Sequence, residues 1–462
     1  MKTLLLEEII TAIGIEPKKI HEGVFISEVI HDTIKVKNQT LYFHIRKKQI
    51  LDGDMLKNYK HLYIVTDTPF TNMEKLEPEQ IILVDDVMST FFKFTSYYRH
   101  MFTIPIVAIT GTCGKTTTKE MLKHILQYDF TVQATIGNKN SSYFHLPYLV
   151  GIDEKTDVAV IETGVAEPGD MVEACNYFFP IIGIMTMIDI DHTDEFPLFK
   201  DYIAEKEKLI NGLNNKGSLI INIDDPHISS MDFSKYKGNV VTYGKSHKAS
   251  IQIKDIRFDK SGMGFIVEYQ KKEYKGLIPG IGEHNVYNAV AAIAAAVEIG
   301  IEVTVAIKRL ALFQHVRSHF EIIKLQNQIT IIDDTWKGNQ TSLQNGLRLL
   351  DRISLPSQRK IAALGRMAPL GQYSEEMYKK IGELLAEIRI NKLITKGFFG
   401  KEIAKAALLA GMSKQDVHHF SETQEIKDFL DSLLKPNDIV YFKIWARDGS
   451  FYDLIQYLKR EK

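Results

Sequence analysis

Cysteine is scarce in this 462-residue chain: there are two, Cys113 and Cys175. A disulfide framework or a cysteine-rich metal cluster needs more, so both are excluded. Long apolar runs are missing as well. None approaches the ~20 residues that cross a bilayer, and no basic start leads into an apolar core and a small-residue cleavage site. The expectation is a cytoplasmic protein with no membrane partner. Charge of one sign is also lacking, since 57 Lys and Arg stand against 58 Asp and Glu, a formal net charge of −1. That balance gives no bulk attraction to nucleic acid or to anionic lipid. Internal repeats and low-complexity segments are absent. What remains is a globular composition, 45% hydrophobic and 25% charged, long enough for about three domains at roughly 150 residues each.

Three textures follow one another, and together they predict an α/β protein. Over residues 1–101, short strand-like runs (VFISEVI, TLYFHI, HLYIVTD, IILVDD) alternate with polar connections, which predicts a small α/β N-terminal domain. Over residues 102–316, the apolar strands IPIVAITG, DVAVIETG, IIGIMTM and SLIINID are each followed by a helical or turn segment. This predicts a central, mostly parallel sheet covered on both faces. A two-stranded insertion is expected at 251–280, with a hairpin turn at Lys260-Ser261-Gly262. Over residues 317–462 the alternation restarts with ITIIDD, KIAALG, KLITKG and DIVYFKI, predicting a doubly wound, Rossmann-like C-terminal domain. Hinges are expected near 101 and 316.

The strongest chemical signal is VAITGTCGKTTT at 107–118. An apolar strand breaks into Gly111-Thr112-Cys113-Gly114-Lys115-Thr116 and then enters the helical pattern KEMLKHIL. Glycines let backbone N–H groups face phosphate oxygens, and the helix N-terminus adds positive partial charge. The lysine can reach the terminal phosphates and the threonine hydroxyl can hold a divalent cation. A nucleoside triphosphate is therefore the expected ligand. Only two residues separate Gly111 from Gly114, against four in the usual loop.

Four further constellations lie downstream. Glu162 closes DVAVIETG at the carboxyl end of a strand, where open α/β sheets collect ligands, and it can share a cation with Thr116. His192 stands among Asp189, Asp191 and Asp194, as a metal ligand or as part of a polar loop. Lys206 and Lys208 lie on the helical stretch DYIAEKEKLI, which taken alone reads as an exposed charged face. Asn285 and Asn288, three apart at the start of an Ala-rich helix, can present amides to an adenine edge.

GTCGKT, VIETG, DHTDEF, AEKEKL and HNVYNAVAA, in that order, resemble the Mur ligase family of ATP-dependent amide-forming enzymes of cell-wall precursor synthesis. The resemblance runs through nearly the whole chain and is clearest from residue 104 onward. It implies that Gly111, Thr112, Gly114, Lys115, Thr116 and Thr117 bind ATP, and that Thr116 and Glu162 hold one Mg²⁺. It further implies that His192 helps to hold a second Mg²⁺, and that Lys206 carries a CO₂-derived carbamate as a catalytic and metal-binding group beside Lys115 and His192. Asn285 and Asn288 would flank the adenine, and Asp334 would lie near the ribose or phosphates. The implied reaction is amide formation through an acyl phosphate, releasing ADP and phosphate. The default substrates are UDP-MurNAc-tripeptide and D-Ala-D-Ala, and the implied enzyme is a monomer. Alternatives are another acyl donor and amine, or a folylpolyglutamate-like ligase.

Departures from the family pattern fall on the substrate side. The family's arginine slot before an apolar-Glu pair holds His319, with Arg317 two residues earlier, and either is a candidate for that role at the nucleotide. Trp336-Lys337-Gly338-Asn339-Gln340 replaces a Tyr-Asn-Ala-Asn-Pro run, and Arg366 stands in place of an Asp. Lys443-Ile444-Trp445-Ala446-Arg447 replaces Lys-Gly-Ser-Arg. Asp32-Thr33-Ile34 replaces the Asp-Ser-Arg element that meets uridine.

Overall fold

The structure, a computed structural model, describes residues 1–16, 22–32, 35–46, 50–259, 262–314, 319–336, 339–367, 370–444 and 449–461. Its first main sheet has four parallel strands in sequence order, Glu28–Ile30, Thr40–Phe43, Leu62–Thr66 and Ile81–Leu83. LYIVT at 62–66 is buried at every position, the pattern of a parallel strand covered on both faces. The helix Val87–His100 follows, capped by Asp86, whose carboxylate accepts from Met88 N at 3.0 Å. Val87, Phe91, Phe94 and Tyr98 form its buried stripe, at helical spacing.

The central sheet has nine strands, and its parallel part places Ile106–Thr110 between Val158–Glu162 and Ile182–Met185. The insertion departs from expectation. Three strands, Ile251–Asp259, Gly262–Tyr269 and Lys272–Ile278, extend the edge of the main sheet, the last two antiparallel. The third strand, KEYKGLI, has little apolar character, and its place comes from pairing with Gly262–Tyr269. Of the expected hairpin turn, Lys260 and Ser261 lie outside the described residues. The C-terminal sheet has six strands. Thr330–Asp333, Ile439–Lys443, Lys360–Leu364, Lys392–Lys396 and Val417–Phe420 run parallel, and Glu321–Lys324 pairs antiparallel at one edge.

The joint near residue 101 is a packed one rather than the expected hinge. One apolar cluster joins Phe91, Phe94 and Tyr98 to Leu146, Leu149, Tyr177 and Phe178 of the central domain. Arg99 is buried and donates to the carbonyls of Phe178 (2.7 Å), Phe102 (2.6 Å) and Ile104 (3.2 Å), while Tyr98 Oη donates to Ile152 O at 2.7 Å. Bending there would strand several buried donors and acceptors.

Candidate active site

The phosphate loop leaves the buried strand Ile106–Thr110 and enters the helix Lys115–Leu126. Gly111 has φ +144°, and a Cβ there would lie 2.0 Å from Thr186 Oγ1. Gly114, at φ +87°, would place one 2.4 Å from Asn288 Oδ1. Both positions therefore require glycine. Thr112 Oγ1 donates to Asp189 O and accepts from Asp189 N, each at 3.0 Å, while Thr186 Oγ1 donates to Cys113 O at 2.6 Å. The loop is thus sewn to the strand end that leads to His192. Lys115 is buried, its Nζ donating to Gly111 O at 2.7 Å and Thr112 O at 3.2 Å, and Thr117 is buried in the first helical turn.

Glu162 ends the neighbouring strand in register with Ile109. Thr116 Oγ1 donates to its carboxylate at 2.9 Å, Asn140 Nδ2 donates to Oε1 at 2.6 Å, and Glu162 N donates to Thr135 Oγ1 at 2.9 Å. Asn140 was missed in the sequence; its signal was the polar run GNKNSS between a strand and a helix. A carboxylate and a hydroxyl at a phosphate loop fit Mg²⁺, an oxygen-seeking ion that takes few protein ligands and completes its shell with nucleotide phosphates and water. Among the described residues no group of three or more His, Cys, Asp or Glu side chains clusters to hold a metal ion.

Lys206 is fully buried on the helix Phe199–Gly212. Its Nζ lies 3.3 Å from Gly111 O and 4.2 Å from the centre of the Tyr202 ring. Two lysines thus converge on one loop carbonyl. Lys208, which shares the helix, points outward with its side chain 41% exposed and pairs with Glu205 at 2.5 Å. The reading of this helix as a solvated charged face therefore holds for Lys208 and fails for Lys206. His192 adopts φ +53°, with Nε2 4.0 Å from Asp191 Oδ2 and its ring 6.0 Å from that of Tyr202. It stands on the same flank as Lys206.

Asn285 is buried and donates to Ile281 O at 2.8 Å, whereas Asn288 lies against Gly114. Asp334 is committed within the C-terminal domain: its Oδ2 accepts from Lys443 Nζ and Tyr441 Oη, both at 2.7 Å. Burial pushes its carboxyl pKa upward, against the pull of Lys443. His319 sits with its ring 5.9 Å from that of Trp336, and both line a cavity of about 350 Å³ with Thr116, Glu120, Gly137 and Phe313. Arg317 lies outside the described residues.

The flanking domains also reach the centre. Asn339 caps the helix Gln340–Ile353 through Ser342 N (2.9 Å), and its Nδ2 donates to Cys113 Sγ at 3.1 Å. Thr341 Oγ1 donates to the Asp189 carboxylate. On the other side, Tyr143 Oη donates to the Asp32 carboxylate, and the Arg46 guanidinium lies 4.2 Å from the Tyr143 ring centre. Thr33 and Ile34 lie outside the described residues.

A phosphate loop with a strand-end carboxylate and a buried lysine, held between two further α/β domains, defines a three-domain architecture built around a nucleotide-phosphate site. The Mur ligase middle domain model matches residues 109–296, and the model described as Mur ligase, glutamate ligase domain matches 320–443. The chain belongs to the Mur ligase family. Among curated relatives, UDP-N-acetylmuramoyl-tripeptide–D-alanyl-D-alanine ligase of Bacillus subtilis (strain 168) is 27% identical, covering 92% of this chain and 91% of its own. The ligase of the same name from Haemophilus influenzae is 25% identical, over 90% and 88%. A crystal structure of MurF from Acinetobacter baumannii shares the fold with a TM-score of 0.84 at 19% identity, covering 100% of both chains. MurF ligase from Thermotoga maritima in complex with ADP has a TM-score of 0.78 at 20% identity, covering 94% of this chain and 97% of its own.

Proposed function

We propose that the protein is a cytoplasmic, monomeric, ATP-dependent carboxylate–amine ligase that joins UDP-MurNAc-tripeptide to D-Ala-D-Ala in peptidoglycan precursor synthesis, as its curated relatives are named for doing. One observation carries the reading: Lys115 and Lys206 both meet the Gly111 carbonyl beside the Thr116–Glu162 pair. A carboxylate does not react with an amine at neutral pH because oxide is too poor a leaving group. In the proposed reaction a carboxylate oxygen attacks the γ-phosphorus and ADP leaves. The amine nitrogen then attacks the acyl carbon, and phosphate departs with that oxygen.

Lys115 neutralises charge on the transferring phosphoryl group, a matter of positioning and electrostatics. Mg²⁺, when bound, supplies charge neutralisation on the phosphates, with Thr116 and Glu162 as its protein ligands and His192 as the contact for a second ion. Lys206, as the carbamate, presents an anion to that cluster. Asn288 is assigned to the nucleotide, and Asn285 holds the turn that precedes its helix.

The test is turnover of ATP with both substrates, together with calorimetry. ADP and phosphate released in step with amide formation support the reading, and stoichiometric AMP and pyrophosphate sink it. A second reading, with a different acyl donor, is favoured by the Asp32 carboxylate being engaged by Tyr143 beneath Arg46. Micromolar binding of UDP-MurNAc-tripeptide decides for the first reading, and ATP binding without it decides for the second.

A further inference from the structure

Lys119 plays no part in the chemistry above, yet it is completely buried one helical turn beyond Lys115. A buried ammonium is tolerated only when its donors are satisfied, and it has three. All three are used. Nζ donates to Thr135 O and to Gly137 O, each at 2.7 Å, and lies 2.7 Å from Glu120 Oε1. The two carbonyls belong to the segment that leaves the strand Val132–Ala134 and leads to Asn140. Thr135 accepts from Glu162 N through its hydroxyl, and Asn140 donates to the Glu162 carboxylate. The helix that carries Lys115 and Thr116 is therefore pinned through Lys119 to the segment that aims Glu162.

We propose that Lys119 is a positioning residue for the metal–nucleotide site: its tripod fixes the 135–140 segment so that Thr135, on the Glu162 backbone N–H, and Asn140, on the Glu162 carboxylate, keep that carboxylate facing Thr116. The proposal rests on reading Thr116 and Glu162 as the ligands of a divalent ion. A buried lysine that only supports the fold would change thermal stability when replaced and leave the ion's affinity alone. A positioning lysine changes the affinity in protein that is still folded, because partners behind metal ligands typically set metal affinity by ~10–100-fold.

The experiment measures Mn²⁺ binding by electron paramagnetic resonance in the presence of ADP, alongside metal-free ADP binding by calorimetry. In Lys119→Met the Mn²⁺ affinity is expected to fall roughly tenfold, with metal-free ADP binding within about twofold of the parent. Asn140→Ala is expected to weaken Mn²⁺ binding similarly, and the double variant is expected to be no weaker than the more affected single variant, because both act through Glu162. Folded Lys119→Met with the parent's Mn²⁺ affinity overturns the proposal, as does full additivity in the double variant. Should Lys119→Met not fold, Glu120→Gln removes the charge from one arm of the tripod and leaves both carbonyls. It is expected to weaken Mn²⁺ binding about two- to fivefold, and unchanged binding overturns the proposal. A parent protein that binds ADP but no Mn²⁺ overturns the metal–nucleotide reading itself, and the Lys119 assignment with it.

Discussion

A lysine can take up CO₂ only as the free amine, which an exposed side chain with pKa about 10.4 scarcely offers at pH 7. Lys206 lies fully buried between the Gly111 carbonyl and the Tyr202 ring, whereas Lys208 reaches solvent beside Glu205. Lys206→Ala is therefore expected to lower kcat by about 10²–10³, the scale of losing one preorganised polar group at a reacting centre. Acetate or formate should restore part of the loss, and Lys208→Ala should stay within about threefold of the parent in kcat, because the Lys208 ammonium reaches solvent away from the phosphate loop and the buried Glu205 keeps its bond from Met171 N. Steady-state assays of the two variants check this, and a dead Lys208 variant beside an active Lys206 variant would reverse the assignment. His145 gives a second prediction at this scale. It is buried against Tyr177 and Phe178, and burial lowers its pKa from 6.5 to about 4. The unfolded chain takes up this proton below about pH 6.5 and the folded chain only near 4, so stability is complete above 6.5 and is lost as pH falls through that window. The shift corresponds to ~3 kcal/mol. His31, lowered to about 4 by burial and then by Arg46, acts with the same sign, whereas Glu173, raised chiefly by burial, opposes it. His145→Leu should accordingly flatten, without abolishing, the fall of the urea midpoint between pH 6.5 and 4.5.

At the scale of elements, the phosphate loop works as a unit because its glycines let it lie directly on the Thr186–Asp189 segment. Gly111→Ala would drive a methyl into Thr186 Oγ1 and Met187 O, and is expected to destabilise the fold by about 1–3 kcal/mol and to abolish ADP binding. Gly300→Ala is the control, since φ is +104° there but nothing lies within 4 Å. It should lower the thermal midpoint while ADP affinity holds, and calorimetry beside thermal melts separates the two effects. The loop and the strand-end Glu162 were legible because each signal is local, a glycine pattern and an apolar run ending in a carboxylate, whereas Lys206 was marked only by the resemblance to the family, since its helix alone reads as a charged face. Asn140, Thr135 and Lys119 were not, since their importance arises only when two strands and a helix come into register across 16 to 46 residues. Asp334 was legible as an acidic residue but not as the partner of Lys443, 109 residues away. The third strand of the central extension was missed for the same reason, as pairing and not apolar content makes it a strand.

Across the whole molecule the two interdomain joints differ in kind, and that difference sets which domain can move. The N-terminal and central domains share one apolar cluster and the buried Arg99 clamp. Separating them would expose large aromatic side chains and break charge-assisted hydrogen bonds, a loss well beyond what substrate binding typically returns. The C-terminal domain meets the centre through Asn339 on Cys113, Thr341 on Asp189 and Gln372 on Pro197, with Ile190 and Ile281 as apolar contributors. Polar contacts of this kind exchange readily for water, so relative motion is expected at this joint. Spin labels on the exposed positions Lys93, Lys235 and Lys405, one in each domain, should report it. On adding ATP and both substrates, the 235–405 distance distribution is expected to shift or narrow and the 93–235 distribution to stay fixed. Asn339→Ala combined with Thr341→Val should broaden the 235–405 distribution in the free protein and weaken ADP binding severalfold, because each contact removed is worth about 1 kcal/mol. Its thermal midpoint should fall by a few degrees, since Asn339 also caps the helix Gln340–Ile353 and losing an N-cap costs about 1 kcal/mol. A 93–235 distance that changes on substrate addition would place the moving joint at residue 101 instead, and the Arg99 clamp would then have to open during turnover.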